Sequence, residues 1–194
     1  MVIINLLIQT TSVSIISEGM IKMTLQIRKP AETDKMALID FREACLKMST
    51  QIPGTSELAQ YSQIDDWLTA IGKNEVDPAP QLVPSIQYVI VDDQQPNVII
   101  GMLNLRLELN DYLMNFGGHI GYAIHPNQRR RGNGTQMLAL GLGKASDYQL
   151  QHVLITCAES NIGSARVIEK NGGILEDKRL DPADKLIRRY WIDL

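Results

Sequence analysis

The sequence predicts an α+β fold, an α/β sandwich in which about four helices flank a mixed, mostly antiparallel sheet of about seven strands. Two observations predict it. Seven segments are rich in β-branched and large apolar residues, which favour strands, and four others place their apolar residues at helical spacing. A length of 194 residues suits one such domain.

The first elements are a strand and two helices. The segment TLQIR, over 24–28, alternates polar and apolar side chains and then meets Pro30, which predicts a short strand ending at a turn. Helical spacing predicts a helix over 32–48. A second, shorter helix is predicted over 62–75, with its end at Gly72.

A three-stranded meander is predicted next. The segments 85–93 and 97–110 are rich in valine, isoleucine and leucine and are separated by a short polar turn, so we expect an antiparallel hairpin. The segment GGHIGYAIHP, over 117–126, is expected to add a third strand.

The carboxyl-terminal part alternates helices and strands. The patterns predict a helix over 132–149, a strand over 152–160 and a helix over 162–173. Two further strands are expected over 174–180 and 185–194. Because most neighbouring strands are joined by turns, the sheet should be mostly antiparallel.

Composition and charge exclude several classes of protein. The chain has 19 basic and 22 acidic residues, a net charge of -3, which disfavours a binder of nucleic acid or of an anionic membrane. The two cysteines, Cys45 and Cys157, show no spacing typical of a disulfide framework or a metal site, so we expect no metal and a cytoplasmic location.

Residues 1–23 are interpreted separately from a single domain over 24–194. Their apolar run lacks a preceding positive residue and a small-residue cleavage site, which disfavours a secretion signal. We expect an amino-terminal extension or an edge strand, or residues added by an upstream start codon, since Met20 and Met23 offer later starts.

The turn before the third helix is the main functional signal. Arg129, Arg130 and Arg131 are followed by Gly132 and Gly134 at a predicted helix start. Unpaired N–H groups at a helix start bind anions, and glycines allow close approach, so the turn favours a phosphate or diphosphate ligand. The spacing matches neither a P-loop nor the dinucleotide fingerprint, and a solvated arginine-rich turn remains the alternative.

The same turn matches a family motif. Residues 129–134 fit the pattern (Gln/Arg)-x-x-Gly-x-(Gly/Ala), placed after a strand and at a helix start. Downstream come a strand, Asn161, the small residue Ser164 and a helix that ends at glycines. With these motifs the sequence resembles the GCN5-related N-acetyltransferase (GNAT) superfamily. The order of elements agrees over 24–194, with specific motifs only between Gly117 and Gly173.

The resemblance implies acetyl-coenzyme A as co-substrate. In this family the strand before the turn separates from its neighbour, its main chain binds the pantetheine arm and the acetyl carbonyl, and the turn holds the diphosphate. The coenzyme-binding residues that it implies are Tyr122, Ala123, Ile124, Arg129, Arg130, Arg131, Gly132, Asn133, Gly134, Thr135, Asn161 and Ser164.

Catalytic groups are less clearly marked. Many relatives place a tyrosine acid seven residues after the helix-start asparagine, where this chain has Ile168. The proton for the thiolate could instead come from Tyr122, Tyr190 or solvent. We nominate Glu159, at a strand end, and then Glu108 as general base, although each could equally be a structural or solvated carboxylate.

The resulting hypothesis is transfer of acetyl to a primary amine by direct attack in a ternary complex. The acceptor is a small-molecule or peptide amine, selected by the loops 49–63, 110–116 and 178–185. A homodimer is compatible with the sequence, and neither nucleic acid nor membrane is expected as a partner. The alternatives are an inactive coenzyme-binding or regulatory module, suggested by Ile168, and a nucleic-acid binder, disfavoured by the net charge.

Overall fold

The computed structural model describes residues 24–194. The expected extension or edge strand over 1–23 concerns residues outside this range. Seven strands and four α-helices follow the predicted order within it. Their bounds are β1 Leu25–Arg28, α1 Lys35–Leu46, α2 Ile64–Val76, β2 Ser85–Asp92, β3 Gln95–Arg106, β4 Ile120–Ile124, α3 Asn133–Asp147, β5 His152–Ala158, α4 Ile162–Lys170, β6 Ile174–Leu180 and β7 Leu186–Asp193.

The strands form two antiparallel groups. The first has the order β1-β2-β3-β4 and the second the order β5-β7-β6. Each neighbouring pair is antiparallel, as predicted for β2-β3 and β6-β7 from their short turns. The α+β class and the mostly antiparallel arrangement are therefore confirmed.

Apolar side chains fill a layer on each face of the first group of strands. One cluster joins α1 and α2 to β2 and β3, and includes Phe41, Trp67 and Met102. The other joins α3, α4 and both groups of strands, and includes Leu103 and Tyr190. Helices cover both faces because successive strand residues point to opposite sides.

Two boundaries differ from those predicted. α2 does not end at Gly72 but continues to Val76. An isolated helical glycine costs only about 1 kcal/mol and does not by itself end a helix, and Glu75, beyond Gly72, forms an ion pair with Lys29. β3 ends at Arg106 and residues 113–117 form a π-helical turn, so Glu108 lies in a loop rather than on the hairpin.

The two groups of strands meet at one point between β4 and β5. The His119 N–H donates to the Leu154 carbonyl at 2.7 Å, and Nδ1 of His119 accepts from the Leu154 N–H at 2.9 Å. The isolated bridge between Gly118 and Ile155 lies beside it. Past this point β4 and β5 share no ladder within 24–194, so the strands separate towards their carboxyl ends.

None of the helices between residues 24 and 194 combines the length and the apolar character needed to cross a membrane.

Candidate active site

The separation of β4 from β5 leaves one edge of β4 unpaired. On the β3 side, the Arg106 N–H donates to the His119 carbonyl at 2.8 Å, and the His125 N–H donates to the Ile100 carbonyl at 2.9 Å. Because neighbouring strand residues turn their main-chain groups to opposite edges, residues 120, 122 and 124 turn theirs towards the gap. This edge can pair with an extended ligand.

The three β4 residues that the sequence assigns to coenzyme binding therefore differ in where their main-chain groups point. The main chain of Tyr122 faces the gap, as required of a group that binds an extended arm. Ala123 is opposite Met102 and turns its main chain towards β3, contrary to the expectation that its groups would be free. The carbonyl of Ile124 faces the gap but accepts a hydrogen bond of 3.1 Å from Nε of Arg129.

The turn that leads into α3 forms an anion cradle. The N–H groups of residues 130–134 have no acceptor in the described part of the chain, whereas those of Thr135 and Gln136 donate to the Gly132 carbonyl. Arg130 and Gly132 have φ of 60° and 82°. A chain of N–H groups with left-handed residues at a helix start is a typical site for a phosphate.

The three arginines have different surroundings. Arg129 folds back on the end of β4, where it also contacts the sulfur of Met48 at 3.6 Å. Nη1 of Arg131 donates to Gln128 at 3.4 Å. Arg130 is exposed and makes no side-chain hydrogen bond within the described residues. Arg130 and Arg131 are thus the arginines whose charge is available beside the cradle.

Gly134 lies where α3 and α4 pack closely. A Cβ at this position would lie 3.2 Å from Cγ2 of Val167 on α4. The sequence assigns Gly134 to ligand approach, so that Gly134→Asp would block the coenzyme and leave the fold intact. In the structure the added side chain would also press on α4, and the substitution cannot separate binding from packing.

Asn133 is held inside the turn. Its side-chain Nδ2 donates to the Gln128 carbonyl at 3.0 Å, and its buried Oδ1 has no partner among residues 24–194. Its main-chain N–H is one of those without an acceptor among the described residues. The side chain itself fixes the turn from within.

Tyr122 and α4 are joined across the gap. The hydroxyls of Tyr122 and Ser164 share a hydrogen bond of 2.7 Å. Asn161 caps α4, because its Oδ1 accepts from the Ser164 N–H at 3.0 Å. Burial raises the pKa of Tyr122 to about 12, which keeps its phenol protonated at neutral pH.

Glu159 follows β5 and is held by two cations. Its carboxylate accepts from Nε and Nη2 of Arg188 at 2.7 and 2.9 Å, and from Lys178 at 3.1 Å. The hydrogen bonds from Arg188 and Lys178 lower its pKa. A carboxylate stabilised in this way is a weaker base, so these contacts disfavour Glu159 in the role assigned from the sequence.

The other catalytic candidates are placed as follows. Glu108 is exposed in the loop after β3. The phenol of Tyr190 is committed to Glu169, to which it donates at 3.1 Å. Ile168 is fully buried, so this position of α4 faces the hydrophobic core rather than the gap. Of the candidate acids, Tyr122 is the one with its hydroxyl at the gap.

The gap is closed where β4 and β5 meet at His119 and Leu154. Near this closed end, a loop that contains Gly54 lies on β4. Gly54 contacts Gly121, where a Cβ would lie 3.2 Å from Cα of Gly54. Ser56 fixes this loop by hydrogen bonds with the buried Gln87 and Asn104, of 2.8 and 3.1 Å. Sequence reasoning missed this contact, although Pro53-Gly54 marked the loop.

His119 lies at the closed end itself. Its Nδ1 accepts from Leu154, and its ring packs edge-on against Trp191 at 6.3 Å between centroids. Burial, together with the charge of Arg106, lowers its pKa to about 4. The ring is therefore neutral at physiological pH.

The chain is similar to a known family and to several solved structures. The model of the acetyltransferase (GNAT) domain matches residues 24–174. No curated protein sequence matches the chain.

Solved structures share the fold at low identity. RimJ from Mycobacterium smegmatis, in complex with CoA-disulfide, has a TM-score of 0.65 at 17% identity, over 88% of this chain and 82% of that one. Spermidine N-acetyltransferase from Vibrio cholerae, with CoA and spermine, has a TM-score of 0.62 at 18% identity, over 87% and 95%.

A third structure is an acetyl transferase from Salmonella typhimurium that modifies the N-terminal serine of ribosomal protein L7/L12. It has a TM-score of 0.61 at 18% identity, over 88% of this chain and 95% of that one.

The residues around the gap fit a coenzyme with a diphosphate and an amide-containing arm. The cradle offers unpaired N–H groups and cations of the kind that a diphosphate requires. The free edge of β4 offers the main-chain partners that amides require.

Proposed function

The chain belongs to the acetyltransferase (GNAT) family, and on this premise we propose that it is an N-acetyltransferase that uses acetyl-coenzyme A and a primary amine. Transfer is by direct attack in a ternary complex. The observation that carries the proposal is the unpaired edge of β4, which leads from the closed end of the gap to the cradle at the start of α3.

The coenzyme would be held along this path. The N–H groups of residues 130–134 bind the diphosphate, and Arg130 and Arg131 add charge. The edge groups of Tyr122 bind the pantetheine arm, and Asn161 and Ser164 border it on the α4 side. Acetyl-coenzyme A supplies the acetyl thioester.

The chemistry needs a base and an acid from the chain. The amine nitrogen bonds to the acetyl carbon, the carbon–sulfur bond breaks, and a base removes the proton of the amine. The Tyr122 hydroxyl, beside Ser164, gives its proton to the departing sulfur. Water bound to Glu108 or Glu159 removes the amine proton, with Glu108 favoured because Glu159 is held by Arg188 and Lys178.

The acceptor approaches from the closed end of the gap. The coenzyme occupies the open end, so the amine must reach the acetyl group from the side where the 51–57 loop lies on Gly121. The V. cholerae enzyme named above acts on spermidine and the Salmonella one on a protein N-terminus. By analogy we propose a small-molecule or peptide amine as acceptor.

Location and assembly belong to the same proposal. We propose a cytoplasmic enzyme, consistent with free cysteines at Cys45 and Cys157. A homodimer is favoured because the edge strand β6 exposes Ile174, Leu175 and Leu180.

Calorimetry and a thiol-release assay test the proposal. We expect coenzyme A to bind and an amine to increase thiol release from acetyl-coenzyme A. Gly132→Ala should weaken coenzyme binding about tenfold, because a Cβ disfavours the left-handed conformation by roughly 1–2 kcal/mol. Gly143→Ala, on the exposed side of α3 with no atom within 4 Å of the added Cβ, is the control.

An inactive coenzyme-binding module is the second candidate. This second candidate is favoured by the burial of Ile168, at the position where many relatives carry the tyrosine that acts as general acid. A module of this kind would bind coenzyme A and respond to Gly132→Ala, yet release no thiol with any amine. The absence of coenzyme binding would contradict both candidates.

A further inference from the structure

Arg106 is a strand arginine without a carboxylate partner. It is the last residue of β3 and partly buried, and its Nη1 donates to the carbonyls of Gly117 and Gly118, at 3.3 and 2.9 Å. Within residues 24–194 no acidic side chain forms an ion pair with it. Its Nε and Nη2 atoms have no partner in the same range.

The arginines of β7 provide a comparison. Arg188 pairs with Glu159, and Arg189 pairs with both Glu176 and Asp177. Taking a guanidinium out of water is unfavourable unless an anion or several acceptors compensate it. Arg106 differs from its counterparts in having only two carbonyls, which leaves its charge uncompensated by the chain.

Arg106 lies at the closed end of the gap, where the acetyl group would be bound. Nη2 lies 3.5 Å from where a Cβ of Gly121 would be, on the face of β4 that the Gly54 loop covers. Gly121 immediately precedes Tyr122, whose edge groups would hold the coenzyme arm.

Within residues 24–194 no carboxylate interacts with the guanidinium. His119 and Tyr112 are the titratable side chains that interact with it, and burial keeps the imidazole of His119 uncharged at neutral pH. A ligand anion would therefore meet one cation and no competing carboxylate.

We propose that Arg106 binds a carboxylate of the acceptor, so that the enzyme acetylates small amines that carry a carboxylate, such as amino acids. This inference rests on the proposed acetyltransferase function. The close contact of Gly54 with Gly121 leaves little room on that face, which favours a small acceptor over a folded protein terminus. A fork of free guanidinium N–H groups is well suited to a carboxylate.

Matched acceptors test the inference. Amino acids and ω-amino acids are compared with their amides, and kcat/KM is measured for each pair with wild type and Arg106→Gln, which keeps an N–H donor for the Gly118 carbonyl. We expect wild type to favour the acids by at least about tenfold, and Arg106→Gln to lose this preference. Arg106→Lys should restore part of it.

Controls separate this role from a structural one. Coenzyme affinity should be unchanged in Arg106→Gln, which should remain folded at the assay temperature, and Lys73→Gln, at an exposed position of α2, should keep the preference for acids. A wild-type enzyme that uses amides as well as acids, or a preference that survives in Arg106→Gln, would overturn the inference while leaving acetyl transfer intact.

A binding measurement covers acceptors that give no turnover. The N-acetylated acids and their amides are titrated into the coenzyme A complex of wild type and Arg106→Gln. Binding of acids that depends on Arg106 supports the inference, and equal binding of acids and amides refutes it. Absence of thiol release with every amine, including those without a carboxylate, is instead the failure of the proposed function.

Discussion

The two ends of β4 are built in opposite ways. At its carboxyl end, main-chain N–H groups of one continuous turn, residues 130–134, form the anion cradle. At its amino end, side chains and backbone from distant parts of the chain meet: the Gly54 loop, Arg106 of β3, and His119 against β5. A local main-chain site can be recognised in a sequence, whereas a site assembled from separate elements cannot.

The strongest test of the amino end is Gly54→Ala. Gly54 has φ of 73°, and its Cβ would overlap the carbonyl of Gly121. Strain and overlap should lower the free energy of unfolding by about 3 kcal/mol or more, measured by urea denaturation. Gly72→Ala, with open space around the new Cβ, should instead raise it by up to about 1 kcal/mol.

If Gly54→Ala unfolded like wild type, the close contact of the loop with β4 would be contradicted. The amino end of β4, where the acceptor would approach, would then be less tightly packed than the carboxyl end, where the coenzyme would bind.

The second test uses pH at the junction of β4 and β5. The pKa of His119 is lowered from 6.5 to about 4, so between these values the unfolded chain binds a proton that the folded chain does not. Stability should therefore fall as pH drops through this window, with His119 contributing about 2 kcal/mol of the loss near pH 4.5.

His119→Asn isolates this contribution, since its side-chain oxygen can still accept from the Leu154 N–H. Urea denaturation at pH 7 and pH 4.5 should show a smaller loss for the variant than for wild type. An equal loss in both proteins would show that other groups dominate the acid sensitivity.

The third test addresses chemistry at the donor side. Tyr122→Phe removes the phenol that shares a hydrogen bond with Ser164, and kcat should fall about a hundredfold if this proton assists the leaving sulfur. KM for acetyl-coenzyme A should change little, because Tyr122 binds the arm through its main chain. Tyr148→Phe, at an exposed position after α3, is the matched control; a Tyr122→Phe enzyme with normal kcat would exclude the phenol as acid.

The smallest effect is expected for Glu159→Gln. The carboxylate is held by Arg188 and Lys178, so it should not serve as base, and kcat/KM should change by less than about threefold. Steady-state kinetics over a range of pH measures this. A large loss of kcat at every pH would restore Glu159 as the base.

Much of the fold could be predicted. Alternation in strands and helical spacing are set by local geometry, and the order of seven strands and four helices followed from them. The end of α2 at Gly72 was wrong because the modest preference of a single glycine against helix is not enough to end one, and the chain continues in helical conformation to Val76.

The candidate site, like the fold, was predicted from the sequence only in part. The cradle was predicted as a motif because its glycines and N–H groups are consecutive. The main-chain direction of Ala123 was not, since it depends on the pairing of β4 with β3. Likewise, the ion pairs of Glu159 depend on β7 lying beside β5 and on β6 lying beyond β7 in the same sheet.

The sequence by itself determined the family and the order of elements and predicted the anion cradle, because each of these is set by neighbouring residues. The tertiary structure alone decided that Tyr122 meets Ser164, that Gly54 closes over Gly121, and that Arg106 has no carboxylate partner within residues 24–194. These contacts join residues 42 to 67 positions apart, or depend on which charges the packed strands bring together. Local propensity carries no information about contacts between residues so far apart in the sequence, and only the packing of the chain fixes them.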